Sequence, residues 1–237
     1  MNEADRSSGR HYGQETCGSD DGHQRHLTSS LETSNPAVRA RTVDRFVKWN
    51  PRANGIDLDC ERQRLDWMFG RHPVPYVLEA DADDEAQWFV TAALPGQFAV
   101  GDTWRARPSV AIRAIATGLR ALHAISVETF PSEWPSQVWV GREPESLSPR
   151  PTAVDPVLVH GDACAPNTLI SDDGEWVGNV DFGDLAVGDR WADLVVASMS
   201  LDWNFGEGHQ DEFFDSYGVE PDIERIQYYR KLWHLES

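Results

Sequence analysis

The stretch "LPGQFAVGD", residues 94–102, divides two kinds of sequence pattern, and that division constrains the fold more than any other feature. Upstream, short β-branched and aromatic runs are separated by turn residues: "RFVKW" (45–49), "PYVLEAD" (75–81) and "AQWFVTAAL" (86–94). The acidic link "ADADDEA" between the last two reads as a hairpin turn. One helical pattern interrupts them, "IDLDCERQRLDWMFG" (56–70), with Ile56 or Leu58, Glu61, Leu65 and Met68 or Phe69 near helical spacing. Gly70 and Pro73 end it. Downstream the period becomes 3.6. "PSVAIRAIATGLRALHAI" (108–125) carries Val110, Ile112, Ile115, Leu119, Leu122 and Ile125 on one face. Three more helices are predicted near 189–203, 208–217 and 221–235, with Pro221 in the first turn of the last. Strands segregated from helices give an α+β chain with a cleft between two lobes.

This division predicts three segments. Residues 1–26 are polar and aperiodic and are expected to be disordered or atypical. Residues 27–96 form a small β-rich N-terminal lobe, beginning with a weak strand over 27–33. Residues 97–237 form a larger, mainly helical C-terminal lobe. Within it, the proline-rich segment 128–156 is expected to be irregular with a short helix, followed by two strands around 168–170 and 176–181 joined by "SDDG".

Charge narrows the partners. Lys and Arg number 21 against 39 Asp and Glu, a formal charge of −18, which repels phosphate backbones and argues against nucleic acid. A small cationic ligand would be attracted. Cys17, Cys60 and Cys164 form no CxxC pair and no zinc pattern. No apolar run approaches the roughly 18 residues of a membrane helix. The N-terminus has no apolar core of a signal peptide. A cytoplasmic monomer, with no membrane partner, is the expectation.

The chemistry gathers in "LVHGDACAPNTLI" (158–170). Asp162 and Asn167 lie five residues apart between two apolar runs. His160, Asp162 and Cys164 alternate, but three neighbouring ligands cannot surround a tetrahedral zinc, and no partner motif follows. Further on, an apolar strand leads to Asp181-Phe182-Gly183. A carboxylate and a carboxamide suit Mg²⁺, which takes hard oxygen donors and shares its shell with phosphates. In protein kinases an Asp five residues before an Asn supplies the base and a metal ligand, and the Asp of Asp-Phe-Gly binds metal. Lys48 on a strand and Glu61 on the next helix match the kinase pair that holds the α- and β-phosphates.

Together these residues resemble the aminoglycoside phosphotransferase family, nearest its 3'-type members, from about residue 43 to the end. "HGDACAPN" resembles the family's catalytic loop, "VDFGDLAVGDRWADL" its metal strand and following helix start, "TAALPG" its hinge, and "RIQYYRKLWHLES" its last helix. The resemblance implies a bilobal, protein-kinase-like fold. It implies transfer of the γ-phosphate of ATP, with GTP as the alternative, to a hydroxyl of a small cationic molecule, an aminoglycoside first. Carried over by position, Asp162 is the catalytic base, and Asn167 and Asp181 hold Mg²⁺. Lys48 binds the nucleotide phosphates, oriented by Glu61, and the backbone of Ala92, Ala93 and Leu94 holds the base. Asp189 and Asp193 brace the catalytic loop through its N–H groups. Asp189 is also counted with Glu236 and Ser237 among residues facing the substrate. His160 anchors the loop and Cys164 packs beneath it.

Three positions depart from the family pattern. No clear first strand precedes Thr28, Ser29 and Ser30, which would have to serve as the nucleotide loop. The acidic pair of the family's tail is replaced by Glu236 and the terminal carboxylate of Ser237. The basic residue three positions after the metal Asp is Asp184. Two other readings follow: a kinase-like enzyme for another hydroxylated metabolite or antibiotic, and an impaired nucleotide-binding protein.

Overall fold

The computed structural model of the chain describes residues 24–30, 42–134, 151 and 156–236. Its N-terminal unit is a four-stranded antiparallel sheet in the order β1-β2-β4-β3. The strands are β1 (Gln24–Ser30), β2 (Thr42–Pro51), β3 (Val77–Ala82) and β4 (Ala86–Ala92). β1 pairs with β2 over its whole length, from Gln24 opposite Lys48 to Ser30 opposite Thr42. That corrects the sequence reading twice. The weak strand expected over 27–33 is β1, which starts and ends three residues earlier and so begins inside the segment expected to be disordered or atypical. Thr28, Ser29 and Ser30 lie in that strand, so the connection to β2 runs through residues 31–41, outside the described ones. Backbone pairing makes this strand, which a mainly polar sequence with one apolar residue, Leu27, advertises only weakly.

Helix α1 (Leu58–Met68) begins at the Asp57 N-cap, whose side chain accepts from the Asp59 N–H. It buries Leu58, Glu61, Arg64, Leu65 and Met68. The ambiguous ends of its stripe resolve to Leu58 and Met68, since Ile56 and Phe69 are exposed. Arg64 comes in because Nε donates to the Leu185 carbonyl at 3.0 Å, which gives the buried guanidinium an acceptor.

The rest is built around helix α3 (Pro108–His123). It is buried on more than one stripe, through Ala111, Ile112, Ala114, Ile115, Ala116, Leu119 and Leu122. Helices α4 (Arg190–Phe205), α5 (Gln210–Tyr217) and α6 (Ile223–Glu236) pack with it into one apolar core that includes Trp104, Leu194, Val195, Phe213, Phe214, Tyr229 and Leu232. Pro221 lies ahead of α6 instead of in its first turn; Asp222 accepts the Arg225 N–H there. The supposed linker at 94–102 holds two elements, β5 (Gln97–Phe98) and the start of α2 (Asp102–Arg105). β5 pairs with β7 (Thr168–Ile170), which pairs with β8 (Trp176–Asn179). β6 (Val157–Val159) pairs with β9 (Ala186–Gly188). The expected strand over 176–181 therefore stops at Asn179. Residues 128–134 contain turns and no helix, and the remainder of the expected irregular segment falls mostly outside the described residues.

A second apolar cluster joins the two units. Leu58, Leu65, Met68, Val74 and Phe89 from the N-terminal unit meet Leu122, Leu158, Phe182 and Leu185. Among the described residues, no helix is long and apolar enough to cross a membrane.

Candidate active site

The two apolar runs flanking Asp162 place it. β6 ends at Val159 and β7 starts at Thr168, so residues 160–167 form a loop held from behind. Gly161 opens it with φ 84°, and a Cβ there would stand 2.4 Å from the Asp184 carbonyl oxygen, so a side chain is excluded. Asp193, in the first turn of α4, accepts the His160 N–H at 2.6 Å and the Gly161 N–H at 3.0 Å. The loop's far end is tied by the Ala165 N–H donating to Ser200 Oγ at 2.9 Å. His160 is buried, with Nε2 2.9 Å from the Val180 carbonyl and its ring 4.6 Å from that of Phe182. It thereby joins the loop to the Asp-Phe-Gly turn. Cys164 is buried below.

Asn167 donates from Nδ2 to the Asp162 carbonyl at 3.0 Å and to Asp162 Oδ2 at 3.2 Å. Both amide hydrogens are spent on Asp162, which leaves the oxygen, Oδ1, for a cation. Burial pushes the Asp162 carboxyl up, to about 6; the nearby Asp181 and Asp184 add to this, while His160 and the Asn167 hydrogen bond oppose it.

Asp181 has φ 66°, the sole non-glycine with positive φ among the described residues. Asp tolerates this left-handed conformation better than most residues because its short side chain bonds locally. The turn sends Phe182 into the core, fully buried, and leaves the Asp181 carboxylate toward Lys48. Lys48 Nζ lies 2.6 Å from Glu61 Oε2 and 2.7 Å from Asp181 Oδ1. Burial alone would favour the neutral amine, but the Glu61 and Asp181 charges outweigh it and keep the ammonium protonated. Burial likewise pushes Glu61 up, to about 7, against the pull of the Lys48 ammonium.

The geometry thus brings Lys48, Glu61, Asp162, Asn167 and Asp181 into one site. The oxygens of Asn167 and Asp181 suit Mg²⁺, which takes one or two protein ligands and leaves the rest of its shell to phosphate and water. Ala92 ends β4 and Ala93 and Leu94 follow it, all three half-buried. The Ala92 N–H already donates to the Tyr76 carbonyl at 2.8 Å, so Ala93 and Leu94 carry the backbone groups available to a base.

Asp189 stands elsewhere. Its carboxylate caps α4 by accepting the Trp191 N–H at 3.1 Å and pairs with Arg225. It makes no bond to the catalytic loop; Asp193 alone of the two does so. Ser237 and the side chain of Glu236 lie outside the described residues.

Several residues that hold the site carry no short motif. His123, on α3, places Nε2 3.0 Å from Asp193 Oδ2 and Nδ1 2.8 Å from Tyr217 Oη. His72 and Asn179 meet at 3.0 Å behind Asn167. His123 could have been noticed as a polar residue at a buried register of α3, beside Leu119 and Leu122; the others give no such signal.

Known proteins share both the pattern and the shape. Residues 145–229 match the model of the phosphotransferase enzyme family. The chain is 32% identical to an aminoglycoside 3'-phosphotransferase of Streptomyces fradiae, over 84% of this chain and 87% of that protein. The crystal structure of an aminoglycoside-3'-phosphotransferase of type VIII superposes with TM-score 0.68 at 25% identity, covering 87% of this chain and 92% of that one. APH(3'')-Id from Streptomyces rimosus, solved with ADP and streptomycin, superposes with TM-score 0.63 at 22% identity over 89% of this chain and 92% of that one.

Proposed function

The chain belongs to the aminoglycoside phosphotransferase family, and from that premise we propose that it transfers the γ-phosphate of ATP to a hydroxyl of an aminoglycoside, with Asp162 as base. The observation that carries this reading is the joining of five side chains from four separate segments: Lys48, Glu61, Asp162 with Asn167, and Asp181. Lys48, freed from Asp181, reaches the α- and β-phosphates while Glu61 orients its ammonium. Ala93 and Leu94 offer backbone groups to the nucleotide base, in the cleft between lobes 27–96 and 97–237. Asp162 aligns the acceptor hydroxyl and takes its proton. The acceptor oxygen bonds to the γ-phosphorus as the bond from that phosphorus to the β–γ bridging oxygen breaks, and ADP leaves. Asn167 and Asp181 would hold Mg²⁺, which would offset the charge on the phosphates as transfer proceeds. Catalysis is then positioning and electrostatics.

β1 supplies the strand whose absence favoured the reading as an impaired binding protein, while the loop that follows it, residues 31–41, lies outside the described residues. Asp184, placed where the family has a base, bears on the choice of acceptor. The cationic acceptor is favoured by the acidic site, where Asp162, Asp181 and Asp184 act on one another.

ADP release by the wild type, measured across aminoglycosides and neutral polyols, tests the acceptor. Release with a polyol and with no aminoglycoside would reject the aminoglycoside. Asp162→Asn keeps the loop's hydrogen bond from Asn167 and removes the base, so turnover should fall by roughly 10²- to 10⁴-fold. Calorimetric binding of Mg·ATP should persist. Full turnover in that variant would remove Asp162 from the mechanism.

A further inference from the structure

We infer that Asn179, oriented by His72, is the positioning residue that fixes Asn167 and Asp181 relative to each other; this rests on the phosphotransferase reading above. Asn179 ends β8 and is buried. Its carboxamide makes four bonds. Oδ1 meets Trp176 Nε1 at 3.1 Å and His72 Nε2 at 3.0 Å. Nδ2 meets the Asn167 carbonyl at 3.2 Å and Thr168 Oγ1 at 3.1 Å. The partners settle which end is which. An indole nitrogen only donates, so it faces the oxygen; a carbonyl only accepts, so it faces the nitrogen. His72 must then donate from Nε2–H, which sets its tautomer.

The consequence for the two cation ligands is direct. The Asn167 carbonyl accepts the Asn179 side chain and also the Val180 N–H at 3.0 Å. The next residue along is Asp181. One ligand's main chain is therefore pinned to the residues immediately preceding the other ligand. His72 and Pro73 belong to the segment between α1 and β3, and the Asn179 N–H donates to the Pro73 carbonyl at 3.1 Å. The same residue thus ties the N-terminal unit to the metal strand. The site is also boxed in. A Cβ on Gly118 would lie 2.6 Å from Trp176 Nε1 and 3.0 Å from Asn179 Oδ1, and a Cβ on Gly178 would lie 2.6 Å from the Pro73 carbonyl oxygen. The carboxamide has no room to turn.

Residues that orient a metal ligand typically change metal affinity by about 10- to 100-fold when removed. The test is Mn²⁺ binding to the full chain with saturating ADP, read by electron paramagnetic resonance. Asn179→Ala should weaken Mn²⁺ by at least about 10-fold, with folding checked by circular dichroism. At position 72, His72→Leu removes the donor, while His72→Gln offers an amide N–H in its place. Leu should weaken Mn²⁺ and Gln should restore most of the affinity. Unchanged affinity in a folded Asn179→Ala, or equal effects of Leu and Gln at 72, overturns the inference. If Asn179→Ala does not fold, the pair at 72 decides alone. Asp181→Asn serves as the control. If it binds Mn²⁺·ADP like the wild type, the reading of the site itself fails, and the positioning role falls with it.

Discussion

His72 shows how much one buried ring depends on its surroundings. Burial lowers its pKa from 6.5 to about 4; the bond to Asn179 opposes this, and the charges of His160 and His123 add to it. The unfolded chain therefore takes up the proton first as pH falls. The stability that neutral His72 contributes is fully present above about 6.5 and is lost progressively toward pH 4. A difference of this size corresponds to roughly 3 kcal/mol. Urea midpoints of wild type and His72→Gln, compared from neutral pH downward, should converge as the wild type loses this contribution. Parallel curves would show that His72 titrates normally in the fold. Phe182, fully buried between the two units, gives a second case. Phe182→Ala should cost about 3–5 kcal/mol, read in the same titration. The residues proposed to do the chemistry were legible in the sequence because they sit in short motifs. The residues that hold them were not. His72 bonds to a residue 107 positions away, and His123 to ones 94 and 70 positions away. No local pattern encodes such distances.

At the scale of elements, legibility followed length. α3 and α4 repeat an apolar period over 16 residues each, and the β3–β4 hairpin is marked by its acidic turn. β6, β7 and β9 have three residues apiece, too few for a period to show. β1 exists through its pairing with β2. The short strands matter most for the candidate site, since β6 and β7 flank the loop of Asp162 and Asn167 and β8 ends two residues before Asp181. Helices α3, α4 and α5 hold that loop through Tyr217, His123 and Asp193 in sequence. Asp193 accepts three bonds, two of them from backbone N–H groups of the catalytic loop. Asp193→Asn turns an amide toward one of those donors and should destabilise by roughly 2–4 kcal/mol. Tyr217→Phe removes one hydrogen bond at the chain's outer end and should cost about 1 kcal/mol. Denaturant midpoints at constant slope check the order. If Tyr217→Phe costs as much as Asp193→Asn, the three helices do not hold the loop in this sequence.

At the scale of the whole molecule, the formal charge of −18 acts on the two proposed substrates in opposite directions. An aminoglycoside is a polycation and is drawn toward the acidic site; Mg·ATP is a net anion and is not. Asp184 reinforces the bias, because it puts a carboxylate near Asp162 and Glu61. Screening should separate the two cases. Between about 0.1 M and about 1 M salt the Debye length falls from about 10 Å to about 3 Å. The KM for the aminoglycoside should then rise by on the order of tenfold. The KM for Mg·ATP should stay level or fall, since salt relieves repulsion. A neutral acceptor hydroxyl should show no such dependence. Parallel rises in both KM values would mean that salt acts on the fold or on the chemistry in general. Asp184→Asn gives the local comparison. If its aminoglycoside KM rises at low salt and loses part of its salt dependence, the attraction is centred on the site. If it matches the wild type at every salt concentration, the attraction belongs to the acidic surface as a whole.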